Sequence, residues 1–182
     1  MNRMNKRLAG EERRRTLLEL IESSTEPITG AELARHVAVS RQVVVQDLSL
    51  LKAKGHQIVA TARGYVYLPG EGAPSAYTRK IVCRHTPEEM EVEMNAIVDE
   101  GVTIRDVIID HPVYGSITGQ LMVKSRRDVR AFLERVAANQ AAPLSHLTDG
   151  LHIHTLEADS EDAIHAAVEE LDRLGILVSA LD

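Results

Sequence analysis

The sequence predicts an α+β protein built from two small domains, and three observations lead to this prediction. Residues 1–70 carry 11 Lys and Arg against 7 Asp and Glu (net +4), whereas residues 71–182 carry 10 against 20 (net −10), which together give the −6 of the whole chain. Apolar residues follow a helical spacing in the first segment and alternate between strand-like and helix-like patterns in the second. A stretch rich in Pro and Gly separates the two. We therefore expect a basic domain over residues 1–69, a linker over 70–76 and an acidic domain over 77–182.

The composition excludes several classes of protein. No run approaches the roughly 18 apolar residues that a membrane span needs, and the charged N-terminus lacks the apolar stretch of a secretion signal. Cys83 is the single cysteine, so we expect no intrachain disulfide, a buried core thiol and a cytoplasmic location. The chain has no Trp and Phe132 is its one Phe, which argues against nucleic-acid binding by aromatic stacking.

Three helices and a hairpin are predicted in the basic domain. Leucines at helical spacing predict a first helix before residue 24. Thr29 and Glu32 form the capping box of a second helix, and Ser40 can cap a third helix over Arg41–Lys54. Strand-like residues on both sides of a Gly-containing turn then predict a hairpin within residues 57–68.

This arrangement resembles the winged helix-turn-helix domains of bacterial regulators. The third helix would be the recognition helix, and its side chains that can read base edges are those of Ser40, Arg41, Gln42 and Gln46. Arg63 lies at the tip of the predicted hairpin, where it could enter a minor groove or contact phosphate. We therefore expect binding to double-stranded DNA. Use of the winged helix for protein contact alone is the alternative.

The acidic domain is predicted to follow the order β-α-β-β-α-β-α-β. The strand-like runs are Thr78–Arg84, Val102–Ile109, Tyr114–Val123, Leu151–Leu156 and Ile176–Ala180. The helices between them begin at caps, which are Thr86 with Pro87 at the first helical position, Ser125, and Asp159 or Ser160. This order predicts an α/β sandwich with a mostly antiparallel sheet and helices on one face.

Six of the eight histidines lie in the acidic domain, and two of them form a His-x-His pair. His152 and His154 are two residues apart in a predicted strand, so their imidazoles project from the same face. A pair of solvated histidines is the alternative. His85 precedes a helix start, and Glu93 lies two turns into that helix. Three imidazole nitrogens and one carboxylate would suit a borderline divalent cation such as Zn, Ni or Fe.

Five short motifs give the chain a specific resemblance to a known family. They are His85-Thr-Pro, Asp110-His-Pro-Val-Tyr-Gly115, Lys124-Ser-Arg-Arg-Asp128, Pro143-Leu-Ser-His-Leu-Thr148 and Gly150-Leu-His-Ile-His-Thr155. Together they resemble the three-histidine (3H) domain, which is fused behind a winged helix in the niacin-responsive repressors, the NiaR family of bacteria. The similarity covers nearly the whole chain.

The resemblance implies a homodimeric transcriptional repressor of genes for NAD synthesis or niacin transport, with nicotinic acid as its co-repressor. It also implies that His85, Glu93, His152 and His154 are the metal ligands. All four residue types match the family pattern.

Five further residues are candidates for the effector site. His111 and His146 match family motif positions, although each could instead be a loop histidine that hydrogen-bonds backbone. Lys124, Arg126 and Arg127 open a predicted helix and could pair with the carboxylate of nicotinic acid. Solvated surface charges are the alternative reading of these three.

Two other functions stay open at this stage. The same ligands with open coordination positions could activate water in a metal-dependent hydrolase. The chain has no HExxH, P-loop or GxSxG motif and carries a predicted DNA-binding domain, so we do not expect an enzyme. A regulator that senses the metal ion itself would use the same four ligands and the same winged helix. The family resemblance alone favours nicotinic acid as the effector.

Overall fold

The computed structural model describes residues 10–68 and 77–181, which form two compact units on either side of residues 69–76. The predicted linker over residues 70–76 therefore lies outside the described residues. Among the residues that are described, no helix is long and apolar enough to cross a membrane.

Residues 10–68 of the N-terminal unit form three helices and a two-stranded antiparallel hairpin. Its elements are α1 (Gly10–Glu22), α2 (Gly30–His36), α3 (Arg41–Ala53), β1 (Ile58–Thr61) and β2 (Gly64–Tyr67). The core that joins them is aliphatic and consists of Leu17, Ile21, Leu33, Ala34, Val37, Val44, Leu48, Leu51 and Ile58. The order of elements is that of a winged helix-turn-helix domain, as predicted.

Side-chain caps start the second and third helices of this unit. Thr29 Oγ1 accepts a hydrogen bond from the Glu32 amide at 3.2 Å, and the Glu32 carboxylate accepts from the Thr29 amide at 2.9 Å. The hydrogen bonds that Thr29 donates from its hydroxyl and its amide hold the pKa of Glu32 below its ordinary value. Ser40 Oγ accepts from the Val43 amide at 3.4 Å. The sequence therefore fixes where the recognition helix α3 begins.

A buried ion pair joins α1 to α3. Asp47 is 3% exposed, and its carboxylate lies 2.5 Å from Arg13 Nε and 3.3 Å from Arg14 Nη1. A buried carboxylate without such partners would be costly. The pair therefore fixes the acidic residue of α3 on the inner side of the helix.

The hairpin is fastened to the helices through its second strand. The Ile28 amide donates to the Tyr65 carbonyl at 3.0 Å, and the Tyr65 amide donates to the Ile28 carbonyl at 2.8 Å. Gly64 has φ +139°, and a Cβ at this position would lie 2.6 Å from the Ile28 carbonyl oxygen. Only glycine at this position allows the hairpin to come this close to the segment that leads into α2.

In the C-terminal unit, the described residues 77–181 form five strands, three helices and two 3₁₀ turns. Its strands are β3 (Tyr77–Arg84), β4 (Thr103–His111), β5 (Gly115–Val123), β6 (Leu151–Ala158) and β7 (Leu177–Leu181); its helices are α4 (Met90–Asp99), α5 (Arg126–Ala138) and α6 (Glu161–Arg173). The first helix of this domain was expected to begin at Pro87. Residues Pro87–Glu89 instead form a 3₁₀ turn, and the α-helix starts at Met90. The second 3₁₀ turn, Leu144–Thr148, has no counterpart in the sequence-based prediction.

The five strands form one sheet in the order β5-β4-β6-β3-β7, and every neighbouring pair is antiparallel. Helices α4 and α6 pack on this sheet, and α5 packs against α4. Side chains on the buried face of β6 are those of His152, His154, Leu156 and Ala158. The predicted α+β class with an antiparallel sheet is confirmed, and the His-x-His pair points toward the helices.

Candidate functional site

A buried cluster of three histidines and one glutamate lies between the sheet and α4. His85 follows the end of β3, Glu93 lies in the first turn of α4, and the other two imidazoles come from β6. In the β3–β6 ladder, Cys83 pairs with His152 and Ile81 pairs with His154, so these alternate residues share the face under α4. Cys83 is fully buried there, as predicted.

All three imidazoles meet the same carboxylate through Nε2. The distances to Glu93 oxygens are 2.7 Å from His85, 3.0 Å from His152 and 3.4 Å from His154. Glu93 is 1% exposed, and each histidine is at most 8% exposed. The possible ligand atoms of His85, Glu93 and His152 lie within 4.8 Å of one another. The four residues predicted from the sequence are therefore brought together.

The other ring nitrogen of each histidine is already committed to backbone. His85 Nδ1 donates to the Thr86 carbonyl at 2.7 Å, and His152 Nδ1 donates to the Gly150 carbonyl at 2.8 Å. His154 Nδ1 donates to the Asp106 carbonyl at 2.7 Å. A carbonyl oxygen only accepts, which assigns the ring proton of all three histidines to Nδ1. In the neutral rings, the three Nε2 lone pairs consequently point at carboxylate oxygens, which are themselves acceptors.

This arrangement of acceptors fits a divalent cation. Without one, each contact between Nε2 and an ionised carboxylate oxygen requires a charged imidazolium, and three buried imidazolium ions would face a single carboxylate. A cation among the ligand atoms of His85, Glu93 and His152 would satisfy these acceptors, and Nε2 of His154 lies 3.4 Å from the same carboxylate. Backbone carbonyls that hold the far nitrogen are the usual outer support of metal-binding histidines. The cluster could therefore hold Zn, Ni or Fe.

The electrostatics of the cluster are dominated by burial and by Glu93. Burial lowers the pKa of His85 and of His154, but the hydrogen bond and negative charge of Glu93 outweigh it, and both pKa values are raised. Burial raises the pKa of Glu93, whereas the charge of His154 and the hydrogen bonds that the three imidazoles donate when Nε2 also carries a proton lower it well below its ordinary value. The carboxylate is therefore ionised and is available as a ligand.

The backbone of Gly150 packs directly against the backbone of His85, which brings the histidines of β6 close to His85. It has φ +82°, and a Cβ on it would lie 2.2 Å from the His85 carbonyl oxygen. Its own carbonyl accepts from His152 Nδ1. No other residue fits this position without moving the start of β6 away from the end of β3.

An apolar cavity of about 260 Å³ opens onto the cluster. Apart from the four cluster residues, its lining consists of Met90, Met94, Val107, Gly119, Leu121, Phe132, Val136, Ala141, Ala142, Pro143, Leu144 and Ser145. Among the described residues, no Lys or Arg lines it. Apart from Ser145, the lining is therefore apolar everywhere except where the cavity meets the cluster.

The five candidate effector residues lie outside this lining. His111 Nδ1 accepts from the amides of Val113 (3.2 Å) and Tyr114 (3.3 Å), so this histidine caps the β4–β5 hairpin. His146 is exposed on the second 3₁₀ turn.

The three basic candidates at the start of α5 also point elsewhere. Lys124, Arg126 and Arg127 are all exposed. Arg126 Nε lies 2.7 Å from the Asp99 carboxylate, and this hydrogen bond lowers the pKa of Asp99. Arg126 therefore joins the start of α5 to the end of α4 and is not directed into the cavity.

The predicted DNA-contacting residues lie at the surface of the N-terminal unit. Arg41, Gln42 and Gln46 are exposed on α3, and Ser40 caps that helix. Arg63 is held in the turn between β1 and β2, where its Nη2 lies 2.7 Å from Glu26.

Sequence reasoning missed the backbone partners and the cavity. The Asp106 carbonyl that orients His154 lies at a bulge in β4, between Ile104 and Asp106, which no residue pattern indicated. Gly150 was part of a quoted motif, but its close approach to His85 depends on how the strands pair. Phe132 and Val136 of α5 line the cavity, and no pattern in the sequence indicated that a cavity lies there.

A helix-turn-helix unit combined with a buried His/Glu site beside an apolar cavity defines a DNA-binding regulator. Comparison with known proteins identifies an HTH domain over residues 13–66 and a 3H domain over residues 78–180. The transcription repressor NadR of Bacillus subtilis is 47% identical over 173 residues, which cover 94% of this chain and 96% of that protein. The probable transcription repressor NiaR of Thermotoga maritima is 39% identical over 175 residues, covering 96% and 98%. The chain belongs to this family of transcription repressors, which agrees with the resemblance seen in the sequence and identifies it as a regulator rather than an enzyme.

Proposed function

We propose that this repressor senses nicotinic acid through a metal ion held by His85, Glu93, His152 and His154. In this proposal the acid acts as co-repressor, and the genes controlled are those of NAD synthesis or niacin uptake. The repressor binds operator DNA as a cytoplasmic homodimer through Ser40, Arg41, Gln42, Gln46 and Arg63. The observation that carries the proposal is the convergence of three histidine Nε2 atoms on the Glu93 carboxylate, with every Nδ1 committed to a backbone carbonyl.

The cavity supports a small aromatic acid as the effector. A volume of about 260 Å³ suits a single ring rather than a nucleotide, because pockets for drug-sized ligands begin near roughly 300 Å³. Its apolar walls, among them Phe132 and Leu144, suit the faces of a pyridine ring. The described lining offers no Lys or Arg for the carboxylate, so the bound cation is the group that would attract it. The carboxylate-binding role predicted for Lys124, Arg126 and Arg127 gains no support from their positions.

Binding of the acid would act on DNA through the two copies of the repressor. Two recognition helices contact half-sites at a fixed spacing, so a ligand that favours one dimer geometry changes operator affinity. The coupling is reciprocal, and DNA must therefore raise the affinity for the acid by the same factor.

Fluorescence anisotropy with a duplex selected from a random pool by the full-length protein tests this function. We expect nicotinic acid to tighten DNA binding when Ni²⁺ or Zn²⁺ is present, and to have no effect after chelation or with nicotinamide. If the metal alone changes DNA affinity and nicotinic acid adds nothing, the protein is a metal-sensing regulator. If neither has an effect, the cluster has no regulatory role in DNA binding.

A further inference from the structure

The exposed side of the recognition helix carries a stripe of four uncharged residues. They are Gln42, Val45, Gln46 and Ser49, and all four are exposed. Their spacing of three and four residues places them on one face of α3. Val44, Leu48 and Leu51 lie on the opposite face and are buried in the core of the unit. We call these four residues the α3 stripe.

The chemistry of the α3 stripe suits one kind of base pair. A glutamine amide offers one donor and one acceptor, which match N6 and N7 of adenine in the major groove. Val45 is 42% exposed, and an exposed apolar side chain on a recognition helix matches the methyl group of thymine. The Ser49 hydroxyl already donates to the Val45 carbonyl at 2.9 Å, so it is occupied within the helix.

The basic residues near the stripe are engaged at its margins. Arg41 lies over the start of α2, where a Cβ on Gly30 would be 3.4 Å from its Nε and 3.5 Å from its Cγ. Lys52 Nζ lies 5.7 Å from the centre of the Tyr65 ring. These positions beside the stripe suit contacts with phosphate rather than with base edges, and guanine is most often read by Arg or Lys.

We infer that the α3 stripe reads A·T base pairs in the major groove of each half-site. Gln42 and Gln46 contact adenine, Val45 contacts a thymine methyl group, and Arg41 contacts the DNA backbone. This inference rests on the DNA contacts proposed for α3, and it needs neither the metal nor nicotinic acid.

Selection from a random duplex pool by the full-length protein tests the inference, with and without metal and nicotinic acid. We expect each half-site to contain A·T pairs at the positions that α3 protects. Replacing the contacted thymine with deoxyuridine should weaken binding roughly threefold to fourfold, the effect of losing one methyl-sized apolar contact. Val45→Ala should abolish this difference. Leu50→Ala, which also shortens an exposed apolar side chain of α3 but lies off the stripe, should keep it.

A change of preference gives a second and more demanding readout. Gln46→Arg should shift the preference at its base pair from adenine to guanine by roughly fivefold or more, the minimum expected of one bidentate contact. Arg41→Ala should instead weaken binding to all sequences alike and reduce the salt dependence. Each preference is a ratio between two duplexes on one variant, so a loss of folded protein cannot produce it.

Three results would overturn the inference. They are G·C pairs at the positions that α3 protects, no selected motif, or Gln42→Ala and Gln46→Ala variants that weaken binding equally on every sequence. Failure of nicotinic acid to affect DNA binding would overturn the proposed function and leave these base preferences unchanged. The two failures are therefore distinguishable.

Discussion

Replacement of Glu93 by glutamine should lower the stability of the metal-bound protein but should not lower the stability of the metal-free protein. The change keeps the shape of the side chain and removes its charge. A nitrogen at the position of Oε2 would face Nε2 of His85, now 2.7 Å away, and Nε2 of His154, now 3.4 Å away. Because those Nε2 atoms carry lone pairs in the neutral rings, the new amide can donate to them. The metal-free Glu93→Gln protein should therefore be at least as stable as the parent at pH 8.

The metal-bound form should lose most of its metal-dependent stability. Loss of an outer-shell partner already costs up to roughly 100-fold in metal affinity, and Glu93 would be a direct ligand. At a metal concentration of about 100 times the parent Kd, binding stabilises the fold by about 2.7 kcal/mol. A 100-fold weaker variant would keep only about 0.4 kcal/mol at that concentration. The difference corresponds to roughly 10 °C in Tm for a unit of this size.

Thermal unfolding followed by circular dichroism, with chelator or with Ni²⁺ or Zn²⁺, measures both effects. Glu91→Gln is the matched control, because Glu91 is exposed on the same helix, and it should keep the full metal-dependent rise in Tm. A Glu93→Gln protein that keeps this rise would refute the role of Glu93 as a ligand. A metal-free variant destabilised by more than about 1 kcal/mol would refute the claim that Nε2 of His85 and His154 carries a lone pair at pH 8.

Three further predictions follow from the same structure. Gly150→Ala should destabilise the C-terminal unit by about 3 kcal/mol and weaken metal binding, because its Cβ would meet the His85 carbonyl. Gly175→Ala, at a similar φ of +72° with no atom within 4 Å of the added Cβ, should cost only about 1 kcal/mol in thermal unfolding and leave metal binding intact. Asp47→Ala should destabilise the N-terminal unit by about 2 kcal/mol in chemical denaturation, since it removes the buried carboxylate that Arg13 and Arg14 contact. The control is Glu19→Ala, which breaks an exposed pair with Arg15 and should change stability by less than about 0.5 kcal/mol. The metal-dependent rise in Tm should shrink as the pH falls from about 8 to about 5.5, because the raised pKa values of His85 and His154 mean that protons compete with the metal for these rings. In the metal-free protein the same raised pKa values contribute stability below the ordinary histidine pKa, and this contribution is lost as the pH rises through them. A metal-dependent rise that is unchanged at pH 5.5 would contradict the histidine ligands.

The fold could be predicted from the sequence wherever local patterns decide it. The capping box at Thr29 and the cap at Ser40 fix the starts of α2 and α3, and periodicity of two in β6 places His152 and His154 on one face. The strand order of the sheet was not predicted, since pairing partners distant in sequence leave no local signal. The start of α4 as a 3₁₀ turn also depends on geometry that the Thr86 capping box does not specify.

The candidate site was predictable in its residue types and not in its surroundings. Ligand chemistry singled out the three histidines and Glu93, but the Asp106 carbonyl that holds His154 lies at a β-bulge 48 residues away in the chain, and the contact of Gly150 with His85 depends on strand pairing. The basic residues near Arg126 matched a motif, yet the nearest carboxylate for that side chain is Asp99, 27 residues away in the chain. An ion pair between residues this far apart in the chain leaves no local pattern in the sequence.

Isothermal titration of nicotinic acid into metal-loaded and chelator-treated protein tests the central claim most directly, with nicotinamide as the control ligand. Nicotinic acid should bind the loaded protein, and binding should disappear on chelation and in His152→Ala. Binding of equal strength in the chelator-treated protein would contradict the claim that the metal ion attracts the carboxylate.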